Sequence, residues 1–368
     1  MTNKSFIIIL LFLLATLTSG CRDQRIMEKL GFTHTVAYDL LPNGKTAFTL
    51  TLPKADKNSE AHQETLTAVS DSYKDATIIM GRQTHFNLVN GQMRNVLFGT
   101  ALAKQGLWNH LNALNRDPVV SPLAKITIAS GNAGDILKKD YKEHPKPGKY
   151  IDLLLDKQAK NFASYRITLF SFSRDYYDDG IDPIAPTIKD NGDTLETFGL
   201  ALFQDDKYVT KLPPKDTILF AFLTGTFRKG NWNMYLSEKL KKKELVVLNY
   251  LNSTKKVQVT HDQTGTPHIL YDLTLKGTVV DYTGPLNLSI DAERHELEKK
   301  IGDHVRAEAK RMVAHMQKYK ADSLGIGKHV RNSMSYSQWK KMNWREEYPK
   351  VVFDCKIKVT IMEYGTFR

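Results

Sequence analysis

Between residues 291 and 319 apolar side chains recur at helical spacing, with Leu297, Ile301, Val305, Met312 and Met316 on one stripe. Asp291 stands where it can cap the start of such a helix. Ahead of it, residues 245–251, 255–259, 267–275 and 277–282 read as strands, with a break at Gly284-Pro285. Behind it comes a short helix around residues 338–344, then an alternating strand over 351–361. A run of strands, one long amphipathic helix and a closing strand predict an α+β fold. Its C-terminal part would be an antiparallel-rich sheet packed by that single helix.

The first half reads as mixed sheet and helix. Residues 32–40 and 45–52 form a hairpin about Asn43-Gly44, a pair that tolerates positive φ. His62, Leu66, Val69 and Tyr73 recur at helical spacing and predict a helix over 59–76, with His62 a packed core histidine. A strand over 93–98 precedes a helical pair over 100–115, interrupted at Gly106 and ended by Asp117-Pro118. Residues 125–129 read as a strand. The Gly131 to Gly134 turn and short helix after it match neither dinucleotide nor Walker spacing, so they read as a turn with a helix cap. A helix over 150–162, a strand over 166–171, a long exposed loop over 178–193 and a strand over 198–203 follow. Pro214 opens a helix through about Leu223. The composition shift over 225–231 sets the expected division: residues 1–20 a signal peptide, 21–225 an N-terminal region of two lobes, 226–368 a C-terminal domain.

The chain begins with one positive charge at Lys4, an apolar run over 6–14 and small polar residues over 15–20, the layout of a secretory signal. That run falls short of the roughly 20 apolar residues of a spanning helix. Leu17-Thr18-Ser19-Gly20-Cys21 resembles a bacterial lipobox, with Thr18 where leucine is usual. Lipidation of Cys21 is therefore expected, and a diacylglyceryl thioether supplies the two chains that stable anchoring needs. Of the two cysteines, Cys355 is then left without a partner, and its alternating strand predicts a buried core thiol. The net charge of +12 favours anionic company. Export and anchoring favour acidic lipid or wall polymer over nucleic acid. Lys239, Lys241, Lys242 and Lys243 form either a solvated edge or a headgroup contact.

Catalytic chemistry leaves no mark. No glycine-flanked serine nucleophile or Cys-x-x-Cys occurs, and His295, His304 and His315 lack the i, i+4 spacing of a zinc helix. The carboxylates of 178–193 lack calcium-loop positions. No catalytic residue, metal or cofactor is expected. The loop over 322–327 carries two readings. In one, Asp322 accepts from loop N–H groups, Gly325 reverses the chain after the long helix, and Leu324 and Ile326 peg that helix to the final sheet. In the other, Asp322, Gly325 and Gly327, with Trp339, form a contact for a membrane partner.

Several separated stretches carry a family resemblance: Gly20-Cys21-Arg22-Asp23, Phe98-Gly99-Thr100-Ala101-Leu102-Ala103-Lys104-Gln105-Gly106, Arg116-Asp117-Pro118 and Phe198-Gly199-Leu200-Ala201-Leu202-Phe203. The C-terminal block adds the long helix, Asp322-x-x-Gly325-x-Gly327, Trp339, Trp344 and the last strand. Together they resemble the Ger(x)C family, the C subunits of nutrient germinant receptors of endospore-forming bacteria. Arg22 stands in place of the family's tryptophan and Thr100 in place of a commonly acidic residue. The resemblance implies a non-enzymatic subunit, lipid-anchored on the outer face of the spore inner membrane. It implies two multi-spanning partners, the A- and B-type subunits, one of them permease-like and the expected nutrient binder. Small-molecule binding by this chain itself is left open. The competing classes are an extracytoplasmic solute-binding lipoprotein of a transporter, which would show two lobes of alternating strand and helix, and a cell-wall enzyme.

Overall fold

The computed structural model describes residues 27–53, 63–144, 146–161, 164–227, 230–237 and 244–364. Residues 1–20, Cys21, His62 and the lysines at 239 and 241–243 lie outside the described residues. The fold is α+β, built on two mixed sheets.

A short strand β1 (Leu30–Phe32) leads to the hairpin of β2 (Thr35–Leu40) and β3 (Thr46–Pro53). Its turn is the expected one: Gly44 takes φ +81°, and the Lys45 N–H donates to Asn43 Oδ1 at 3.1 Å. Next comes β4 (Gln63–Ser70), then α1 (Tyr73–Gly81), which corrects the expected helix over 59–76. Leu66, Ala68 and Ser70 alternate inward against β3 while Val69 is exposed, so the period is two and the helical spacing of Leu66, Val69 and Tyr73 is coincidental.

The short β5 (Asn87–Val89) pairs with β1, and β6 (Asn95–Gly99) enters the helical pair α2 (Thr100–Gln105) and α3 (Trp108–Arg116). Gly106 divides that pair at φ +133°, as its position suggested. After β7 (Lys125–Ala129), the glycine-containing turn opens α4 (Ala133–Lys138). The chain itself fills this helix start: both oxygens of Asp39 accept at 2.7 Å, from the N–H groups of Ala133 and Gly134. Then come α5 (Pro147–Lys160) and α6 (Leu169–Tyr177).

The expected strand over 166–171 is instead the start of α6. Thr168 accepts from the Ser171 N–H at 3.2 Å and Ser171 Oγ from the Thr168 N–H at 2.8 Å, a capping box. The expected loop over 178–193 holds β8 (Ile184–Asp190), an inner strand. Pro186 is tolerated there because the pairing with β9 (Leu195–Gln204) shifts register between Pro186 and Ile188. An unanticipated β10 (Lys207–Leu212) and then α7 (Thr217–Thr224) complete this half.

Eight strands form one sheet in the order β10-β9-β8-β7-β6-β2-β3-β4. The middle pairings β2–β6, β6–β7 and β7–β8 are parallel and the flanking ones antiparallel. Every residue of β6 and β7 is buried, as parallel strands covered on both faces require. Ile136, Leu137, Ile151 and Leu155 of α4 and α5 cover one face over Ala37, Leu97 and Ala129.

The second sheet has the order β11-β12-β13-β14. It contains β11 (Gly230–Ser237), which the sequence did not signal, and β12 (Glu244–His261) and β13 (Pro267–Tyr282), each one long strand rather than the expected pairs. Register shifts absorb the interruptions, with Tyr250 at φ +51°. The crossover α8 (Asp291–Lys318) lets β14 (Val352–Glu363) pair parallel to β13. All five stripe residues are buried, each worth about 1.5–3 kcal/mol relative to exposure. The cap position falls on Ile290, and Asp291 sits in the first turn with its carboxylate toward Arg294. Between α8 and β14 lie α9 (Ile326–Asn332), α10 (Tyr336–Lys341) and α11 (Trp344–Glu347). Cys355 is fully buried, as expected, and burial pushes its thiol up to about 11.

Candidate functional site

The loop after α8 does not meet the final sheet alone. It closes on the segment between α6 and β8, and so joins the two sheets. The chain reverses at Lys320, φ +50°, rather than at Gly325, and the Ala321 N–H donates back to Met316. Asp322 then turns inward, with only 2% of its surface exposed. Its Oδ1 accepts from the Ile326 N–H at 2.8 Å and its Oδ2 from the Gly327 N–H at 2.6 Å. Trp344 Nε1 donates to Oδ2 at 3.0 Å. Gly325 holds the turn between them in the left-handed region, φ +68° and ψ +38°, so the first turn of α9 is capped by Asp322 from outside. Leu324 and Ile326 are buried as pegs.

Across the junction stands Asp182. The Asp322 N–H donates to Asp182 Oδ2 at 2.7 Å, and the Asp182 N–H donates to the Asp322 carbonyl at 3.0 Å. Asp182 Oδ1 accepts from the Asp205 N–H at 3.0 Å, with Arg345 3.6 Å away. The Lys328 N–H donates to Gly180 O at 3.0 Å. Two glycines permit this approach: a Cβ on Gly180 would lie 2.6 Å from Lys328 N, and one on Gly327 would lie 2.9 Å from Gly180 Cα. Ion pairs surround it, Arg331 with Asp178 at 2.7 Å and Lys340 with Asp179 at 2.9 Å.

Burial raises both carboxyls. Asp322 is pushed up to about 7, its N–H donors pulling down and Asp182 pushing further up. Asp182 is raised by burial against the pull of its own N–H donors. Beside them opens a cavity of about 490 Å³, lined among others by Tyr176, Asp182, Asp322, Trp344 and Arg345. Tyr348 also lines it, and its hydroxyl is buried with no hydrogen-bond partner among the described residues. The carboxylate oxygens of Asp182 and Asp322 all accept from the chain's own N–H groups, so the arrangement fastens the two segments to each other.

The four partner-contact candidates are brought together, but inside. Asp322, Gly325 and Gly327 are buried, and Trp339 is 3% exposed with Nε1 3.4 Å from Asp179 Oδ2. Sequence reasoning missed Gly180 and Asp182, the other half of the junction. The available signal was Asp178-Asp179-Gly180-Ile181-Asp182, an acidic run matching the basic residues Lys328, Arg331, Lys340 and Arg345.

The two halves of this junction fall in two family models. Residues 23–190 match the spore germination protein N-terminal domain, and residues 198–365 match the spore germination B3/GerAC-like C-terminal region. The chain belongs to this family of spore germination proteins, the Ger(x)C family. It is 24% identical to the spore germination protein GerQC of Bacillus cereus, across 97% of this chain and 98% of that protein. It is 22% identical to YfkR of Bacillus subtilis (strain 168), across 74% of this chain and 71% of that protein. The fold is that of the GerBC protein crystal structure, with a TM-score of 0.54 and 16% identity over 92% of this chain and all of that one.

Proposed function

We propose that this chain is a lipid-anchored, non-enzymatic subunit of a spore nutrient germinant receptor, needed for nutrient-triggered germination. The observation that carries this reading is the near end-to-end match to GerQC, which includes both family regions and the segments that lock them. The units we take are 21–225 and 226–368, after a signal peptide over 1–20, with Cys21 carrying the lipid. Among the described residues no helix is long and apolar enough to cross a membrane; Cys21 lies outside them. The receptor partners are the A- and B-type multi-spanning subunits, on the outer face of the spore inner membrane. Affinity capture of the tagged chain from solubilised spore membranes tests the assignment. Recovery of two multi-spanning proteins supports it; recovery of a transporter ATPase complex overturns it.

A further inference from the structure

The helix α5 divides its charges by face. Asp152 and Asp156 turn inward and meet Lys125 at 2.6 and 2.8 Å, with Arg94 3.3 Å from Asp152 and Arg166 3.7 Å from Asp156. Ile151 and Leu155 cover the sheet. The outward line is Lys149, Leu153, Lys157 and Lys160, all exposed, and none of these lysines forms an ion pair among the described residues. Leu153 is 56% exposed in the middle of that line. Beside it runs an open groove of about 740 Å³, lined by Tyr150, Leu154 and Leu195 and by Lys146, Lys149 and Lys157; Glu143 is the one carboxylate among the described residues that line it.

An apolar strip between lysines is the pattern of a surface that lies on anionic headgroups, apolar groups at the acyl boundary and ammonium groups at the phosphates. The course of the chain supplies the orientation. His34 lines one hollow together with Lys146, Lys149 and Leu153, so the polypeptide enters the sheet next to the start of α5. Cys21 lies 13 residues before His34, at most about 45 Å of fully extended chain. A lipid on Cys21 leaves this edge of the molecule within reach of the bilayer.

We propose that the outer face of α5, with its groove, docks on the anionic phospholipid surface to which the chain is anchored. The orientation rests on the lipid-anchor reading; the charge pattern does not. Each lysine contributes about a fivefold gain in membrane partition at low ionic strength.

The mature chain from residue 21 carrying Cys21→Ala, without the apolar signal over 1–20, separates docking from anchoring. It is expected to co-float with vesicles of phosphatidylcholine and phosphatidylglycerol, to release at high salt, and to ignore pure phosphatidylcholine. Adding Lys149→Glu and Lys157→Glu should lower partition at least tenfold, at unchanged melting temperature. Lys356→Glu with Lys358→Glu, exposed on β14, makes the same charge change and should cost far less. In the lipidated chain, a polarity-sensitive dye on Leu153→Cys should report an apolar environment. Equal losses from the two lysine pairs would reduce the effect to net charge and overturn the proposal. A water-like dye signal on a chain that still labels with fatty acid would overturn docking while leaving the anchor intact. Loss of receptor-subunit capture by the α5 pair, with vesicle binding unchanged, would assign the face to a protein and equally overturn it.

Discussion

Asp182 and Asp322 clasp each other by two hydrogen bonds: the Asp322 N–H donates to the Asp182 carboxylate oxygen Oδ2 at 2.7 Å, and the Asp182 N–H donates to the Asp322 carbonyl at 3.0 Å. One precedes an inner strand of the eight-stranded sheet, and the other lies in the loop that follows the long helix packed on the four-stranded sheet. The relation between the sheets is thus fixed by buried acids rather than by apolar packing alone.

Stability should depend on pH through this pair. Asp322 titrates near 7 in the folded chain against 3.8 for an ordinary aspartate, so between those values the folded state holds a proton that the unfolded state has lost. Its contribution is full below about pH 4 and is lost as pH rises through 7, at no more than about 1.4 kcal/mol per pH unit. Asp322→Asn removes the titration but also turns an amide toward one N–H donor, at about 1–3 kcal/mol. Urea midpoints should fall with rising pH more steeply in the wild type than in Asp322→Asn. Parallel slopes would dissociate Asp322 from the titration.

Gly180→Ala places a methyl group 2.6 Å from the Lys328 backbone nitrogen, where no flexible side chain can yield. The overpacking should cost about 1–3 kcal/mol, read as a fall in melting temperature. Gly44→Ala is the control: nothing lies within 4 Å of its Cβ position, so its cost is limited to the positive φ.

Gly325→Ala sets positive-φ strain beside a contact with Lys328 Cε at 2.6 Å. A fall in melting temperature together with lost capture of receptor subunits is the expected result, because the loop is internal. Normal melting with lost capture would make the loop an interface instead.

Part of this was legible in the sequence. The stripe from Leu297 to Met316 admits one reading, because a single period of 3.6 runs its whole length. Gly44 and Gly106 announced their turns through the φ that only glycine takes cheaply. β8 was hidden because Asp182, Pro183 and Pro186 carry loop chemistry, and only a central strand's bulged pairing overrides it. Of the junction, Asp322, Gly325 and Gly327 were visible as a local turn. Asp182 was not, since a contact 140 residues away leaves no periodic trace.

The most direct measurement is the germination of spores that lack this chain and its paralogues, complemented with the wild-type chain or with Cys21→Ala. The account predicts that the deletion abolishes or slows the response to at least one class of nutrient while growth and spore formation stay normal. The wild-type chain should restore that response, and Cys21→Ala should restore it poorly and remain free of acyl label. An undiminished response to every nutrient in spores lacking the chain and all its paralogues would contradict the account.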